Sequence, residues 1–283
     1  MHRLLFPFLS LCLASLAQAE RVAIVSGETK LNAEYRTPIR PGMPAIVLLH
    51  GCGGLYGKSG EISARMTRMG DLFREMGYAV LFLDSFSARG IKQVCSPRPP
   101  VRGIPPSVRA DDAEAAIRWL RKQGDVDPER IGLVGWSHGA DAVLEVMGRN
   151  NKAVKAGVAF YPNCRRLFSH KQYRISAPTL VLVGEADSKT PASDCRALSD
   201  QTGQDLFFVV GYPDTQHDFD RPVQAPYSLF DVPNRIRSDD NGNECANPQA
   251  AQDAQRRTFK WFSRWFDPER ALKGTPPVNK PRT

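Results

Sequence analysis

The chain has 283 residues, 42% of them hydrophobic and 24% charged, the balance of an ordinary globular protein and not of a disordered one. Its formal net charge is +8, yet no RNA- or DNA-binding motif accompanies the basic residues, which read as a scattered solvated surface; no nucleic-acid partner is expected. No Cys-x-x-Cys pair or Cys/His spacing suits zinc, so no metal is expected either.

His2 and Arg3 give a short basic start, Leu4 to Ala17 an apolar run, and Ala17-Gln18-Ala19 a small-x-small site. This pattern predicts a secretory signal over residues 1–19, cleaved after Ala19, and hence a periplasmic or extracellular protein. The run is shorter than the roughly 20 residues that span a bilayer and contains Pro7, so no membrane span is expected. Leu11 is too bulky for lipoprotein processing at Cys12. Cleavage removes one charge, Arg3, and leaves +7.

The rest reads as one domain over residues 20–266, because no linker, repeat or low-complexity tract interrupts it. Arg21 to Val25 and Asn32 to Arg36 predict two opening antiparallel strands. Pro44 to His50 predicts a buried strand, and Ser63 to Met76 a helix with Met66, Met69, Leu72, Phe73 and Met76 on one face. Tyr78 to Asp84 is the next strand, and Ser107 to Lys122 a helix with Ala113, Ala116, Ile117 and Leu120 inward. Arg130 to Gly135 is a strand that runs straight into a helix beginning near His138. Three more strands follow at Ala156 to Tyr161, Thr179 to Gly184 and Leu206 to Val210. A last helix carries Phe259, Phe262 and Phe266, and residues 267–283 read as a disordered tail. Alternating strands and helices predict an α/β fold with a mostly parallel eight-stranded sheet and helices on both faces. Such sheets place active residues on loops at the carboxyl ends of the strands.

Gly135-Trp136-Ser137-His138-Gly139 fits G-x-S-x-G. The motif alone is weak, but here it follows an apolar strand and opens a helix, the context a nucleophile elbow requires. So tight a turn forces the serine into a strained backbone conformation, and the two glycines leave room where side chains would collide. A serine hydroxyl needs a base within hydrogen-bond reach. Of five histidines, His2 lies in the signal, His50 ends a strand, His138 adjoins the serine, and His170 has no strand before it. His217 remains, in the loop after the last strand. In α/β hydrolases the acid lies between serine and histidine in the chain. It belongs after Thr179–Gly184, where Asp187 is preferred to its neighbour Glu185. The expected catalytic triad is therefore Ser137, His217 and Asp187, the last holding the imidazole tautomer. Two backbone amides should receive the developing oxyanion, those of His138 and of Cys52 in the turn His50-Gly51-Cys52-Gly53-Gly54.

The chain resembles the dienelactone hydrolase family of α/β hydrolases. The likeness rests on His50-Gly-Cys-Gly-Gly54, Asp84-Ser-Phe-Ser-Ala-Arg-Gly90, Gly135-Trp-Ser-His-Gly139, Tyr161-Pro162, Gly184-Glu-Ala-Asp187 and His217-Asp-Phe-Asp220, in family order over about Val22 to Phe266. It implies a compact hydrolase with no large cap domain, no cofactor, and a small-molecule ester or lactone substrate. The chain departs from the best-known members at two points. Their nucleophile is often cysteine where Ser137 stands, and the acidic residue of their oxyanion turn corresponds to Gly51. Both changes point to a more general esterase. Two arginines that hold the substrate carboxylate in the lactone enzymes match Arg89 and Arg221, which implies an acidic substrate; the alternative is that they form ion pairs with Asp84 or Asp220. In this fold Cys164 and Cys195 follow neighbouring strands, as do Cys52 and Cys95, so these two pairs are expected to bridge and leave Cys245 free. Three rivals stand beside the esterase: a non-catalytic binder on a hydrolase scaffold, a peptidase of related fold, and a phosphate-binding loop at Gly57-Lys58-Ser59. The last has Cys52 where its motif needs glycine.

Overall fold

The computed structural model describes residues 19–95, 103–203, 205–221 and 246–267. Eight strands form one sheet: β1 (Ala19–Ser26), β2 (Thr29–Arg36), β3 (Met43–Leu49), β4 (Ala79–Asp84), β5 (Val126–Trp136), β6 (Ala156–Phe160), β7 (Thr179–Gly184) and β8 (Phe207–Tyr212), in the spatial order β1-β2-β4-β3-β5-β6-β7-β8. The first two strands pair antiparallel, as does β2 with β4. Every later pairing is parallel. The sequence explains the difference. In β2 only alternate residues, Leu31, Ala33 and Tyr35, are buried, because one face meets solvent, whereas β4 and β7 are buried along their whole length.

Six helices cover the sheet: α1 (Ala64–Glu75), α2 (Pro106–Leu120), α3 (His138–Gly148), α4 (Arg165–Phe168), α5 (Ala192–Thr202) and α6 (Pro248–Phe266). Strand register assigns two of them to opposite faces. Gly132 pairs with Ala156 and Leu133 with Gly157, so the two glycines look out of opposite sides. A Cβ on Gly132 would lie 2.3 Å from Phe262 of α6, and one on Gly157 2.3 Å from Met147 of α3. The phenylalanines of α6 also clasp α1: the Phe73 ring lies 5.1 Å from Phe259 and 5.6 Å from Phe262, edge to face. The expected architecture is the one observed. Between β6 and β7 the structure holds only α4 and turns, with no cap inserted.

Three elements differ from expectation. Two short helices, α4 and α5, have no counterpart among the expected elements, and β5 begins at Val126 instead of Arg130. Asp267, assigned to the tail, accepts a hydrogen bond from Arg130 at 2.8 Å and so ties the end of α6 to β5. Ala19, read as the last residue of the signal, is paired with Arg36 in β1. Residues 1–18 of the expected signal, the rest of the expected tail, most of the loop Pro222 to Asn247, and Cys245 lie outside the described residues.

Candidate active site

The parallel strands all point their carboxyl ends to one edge, and the predicted triad residues emerge there. Ser137 joins β5 to α3 with φ 50° and ψ −118°, a conformation that costs a non-glycine residue about 1–3 kcal/mol. The turn is locked from both sides. A Cβ on Gly135 would stand 2.3 Å from the Gly139 carbonyl oxygen, and one on Gly139 2.2 Å from that of Leu49. Only glycine fits at either place. The Ser137 N–H donates to the Phe160 carbonyl at 2.9 Å, which fixes the serine against β6.

Ser137 Oγ lies 3.1 Å from His217 Nε2, and His217 Nδ1 lies 2.7 Å from Asp187 Oδ2. Ionised Asp187 only accepts, so Nδ1 carries the proton and Nε2 turns its lone pair to the serine hydroxyl. The carboxylate is well provided for. Oδ1 accepts the N–H groups of Lys189 and Thr190, both at 2.9 Å, and Oδ2 accepts the Thr190 hydroxyl at 2.6 Å. Burial alone would raise the Asp187 pKa, but the bonds from His217 and Thr190 outweigh it and hold the carboxyl below its ordinary value. Glu185, the competing acid, turns instead to an ion pair with Arg196. The acid and base loops are sewn together: Ala186 N–H donates to Thr215 O and Glu185 N–H to Tyr212 O, each at 2.9 Å. Gly184 permits this, since a Cβ there would be 2.1 Å from Thr215 O.

The turn after β3 abuts the elbow. A Cβ on Gly51 would lie 3.3 Å from Trp136 O and 3.8 Å from Ser137 Cβ. Next to it Cys52 is bridged to Cys95, with their Cα atoms 4.9 Å apart, and its carbonyl accepts the Val94 N–H at 2.8 Å. His138, the other expected donor, begins α3. Cys164 is bridged to Cys195. Both disulfides are the pairs expected.

Two charged clusters centre on arginines that no sequence motif singles out. Arg109 of α2 is fully buried; it donates to His50 O at 2.7 Å and to His138 Nδ1 at 3.0 Å. Burial first and the Arg109 charge second depress His138 to about 4, so its imidazole is neutral at ordinary pH. The signal for Arg109 was its place four residues before Ala113, on the apolar stripe of α2. The second group, Arg65, Asp218 and Asp220, borders His217, and nothing in the sequence pattern marked Arg65.

The two arginines matched to carboxylate binding are both engaged within the protein, though not with Asp84 or Asp220. Arg89 forms a two-pronged pair with Asp112, 2.8 Å at each prong, and also donates to Ser85 O. Arg221 meets Asp218 at 3.2 Å.

A sheet in this order, with a strained serine between strand and helix, defines an α/β hydrolase. The sequence profile of the Dienelactone hydrolase family matches residues 31–266, and the chain belongs to that family. A Methylorubrum extorquens protein provisionally named a carboxymethylenebutenolidase is 24% identical, over 86% of this chain and 82% of its own. Among solved structures, a dienelactone hydrolase from Anabaena variabilis superposes with TM-score 0.64 at 20% identity, covering 88% of this chain and 98% of that one. A dienelactone hydrolase-like promiscuous phosphotriesterase from metagenomic libraries does so with TM-score 0.67 at 18% identity and the same coverage. Among the described residues no helix is long and apolar enough to cross a membrane.

Proposed function

We propose that the chain is a serine hydrolase that cleaves ester or lactone bonds of a small molecule through an acyl-enzyme. The observation that carries this reading is the unbroken relay Asp187–His217–Ser137, with contacts of 2.7 and 3.1 Å, on a serine held at φ 50°. Ser137 Oγ attacks the acyl carbon as its proton passes to His217 Nε2. The tetrahedral oxyanion lies between the Cys52 and His138 amides, and Asp187 stabilises the imidazolium. His217 then gives its proton to the leaving oxygen, the bond to that oxygen breaks, and the ester to Ser137 remains. Water repeats the steps and frees the acid. Membership of a hydrolase family supports the same reading, as does the burial of Asp187 behind the imidazole.

Ser137→Ala is expected to lower kcat on p-nitrophenyl acetate by a factor on the order of 10^6, as loss of the serine does in other triad enzymes. A fluorophosphonate probe is expected to label the native chain at Ser137 alone. Retained hydrolysis by the alanine variant refutes the assignment.

Preference for an acidic substrate would have to draw an arginine from its present partner. Arg221 is the better placed, with its side chain 50% exposed against 19% for Arg89. Arg221→Met is then expected to raise KM for acidic esters and not for neutral ones; equal changes on both remove this part of the proposal. Export through the leader fits the two disulfides, which persist in oxidising compartments.

A further inference from the structure

Two carboxylates, Asp218 and Asp220, stand one and three residues after His217, and neither belongs to the triad. Arg65, the second residue of α1, reaches across the edge of the sheet to both. Its Nη2 donates to Asp218 Oδ1, and its Nε lies 3.3 Å from Asp220 Oδ1. Asp220 is held from two further directions: Trp136 Nε1 donates to Oδ2 and the Tyr161 hydroxyl to Oδ1, each at 2.7 Å. Trp136 is the residue before Ser137. Tyr161 follows β6, and its ring lies 4.5 Å from the imidazole of His217. The backbone shows how firmly the pieces are held, since Tyr161 and Asp218 both keep positive φ, 42° and 60°. Burial alone would lower the Arg65 pKa, but Asp220, Tyr161 and Asp218 hold it above its ordinary value.

We infer that Arg65 is a positioning residue for the proposed reaction: its guanidinium fixes the base loop, through Asp218 and Asp220, against the strand end that carries the serine. The inference rests on the triad reading given above.

The test is to measure kcat and KM for p-nitrophenyl acetate with the full chain, for Arg65→Met and Arg65→Lys. Arg65→Met is expected to lower kcat about 10- to 100-fold with KM nearly unchanged, because a small misplacement of a reacting group is that costly. Arg65→Lys keeps the charge and loses the fork, so it recovers part of kcat and stays below native. A folded Arg65→Met with native kcat overturns the inference. So does an Arg65→Lys identical to native in kcat, a comparison that stands even if the methionine variant does not fold. Fluorophosphonate labelling of the native chain keeps the two readings apart: absence of label at Ser137 sinks the triad itself, whereas label with an indifferent Arg65 sinks only the clamp.

Discussion

Asp141, one turn into α3, shows what burial does to a carboxyl beside His217. It accepts the Asn163 N–H at 2.7 Å. Burial pushes it up to about 6, against the opposing pull of that N–H, Arg166, Arg109 and His217. A carboxyl whose folded value is raised stabilises the fold below its unfolded value and loses that contribution as pH climbs to the folded one. The window here runs from 3.8 to about 6. Asp141→Asn is therefore expected to gain stability relative to native between pH 4 and pH 7. Urea unfolding at both pH values measures this, and an unchanged difference would refute it. At this scale the sequence was legible where a residue's role depends on its neighbours in the chain. Ser137 and its two glycines could be read because strand, turn and helix are contiguous. The partners of Arg89 could not, because Asp112 comes from the inner face of α2 and no local pattern brings the two together.

The elbow joins three elements, and a glycine decides whether they fit. A Cβ on Gly139 would meet the carbonyl oxygens of Leu49 and His50 at 2.2 and 2.5 Å, both backbone atoms of β3 and its turn. Gly139→Ala is expected to cost about 1–3 kcal/mol and to displace the serine as the elements part. Gly124→Ala, with nothing within 4 Å of the new methyl, should change stability by no more than about 0.5 kcal/mol. Equal losses in thermal unfolding would show that the crowding is not what glycine relieves. Elements were legible in proportion to their apolar periodicity. β3, β4 and β7 are continuous apolar runs, and α1 and α6 carry clear stripes. α5 was missed because only Ala192, Cys195, Leu198 and Ser199 are buried in an otherwise polar helix. The early start of β5 was missed because Asp127-Pro128-Glu129 looks like a turn, although Val126 pairs with Met43 across an irregularity in the register.

Across the whole molecule, both disulfides lie at the carboxyl edge of the sheet, each joining the exit of one strand to a segment beyond its neighbour. Cys52–Cys95 closes a span of 43 residues, and chain-entropy arguments assign such a link a stabilisation on the order of 4 kcal/mol. Cys95→Ser is expected to lower Tm accordingly and to slow fluorophosphonate labelling of Ser137, because the turn bearing Cys52 is no longer pinned beside it. A variant with lowered Tm but native labelling rate would separate the staple from the site. The backbone bonds between the acid and base loops have one more consequence. Asp187 and His217 sit on loops after adjacent strands, laced at Ala186–Thr215 and Glu185–Tyr212. Ser137 stands two strands away in the order β5-β6-β7-β8, and its link to them runs through the Asp220 bonds to Trp136 and Tyr161. Flexing of the sheet therefore leaves the carboxylate–imidazole distance intact and falls first on the gap between imidazole and alcohol, the span that the Asp220 bonds brace.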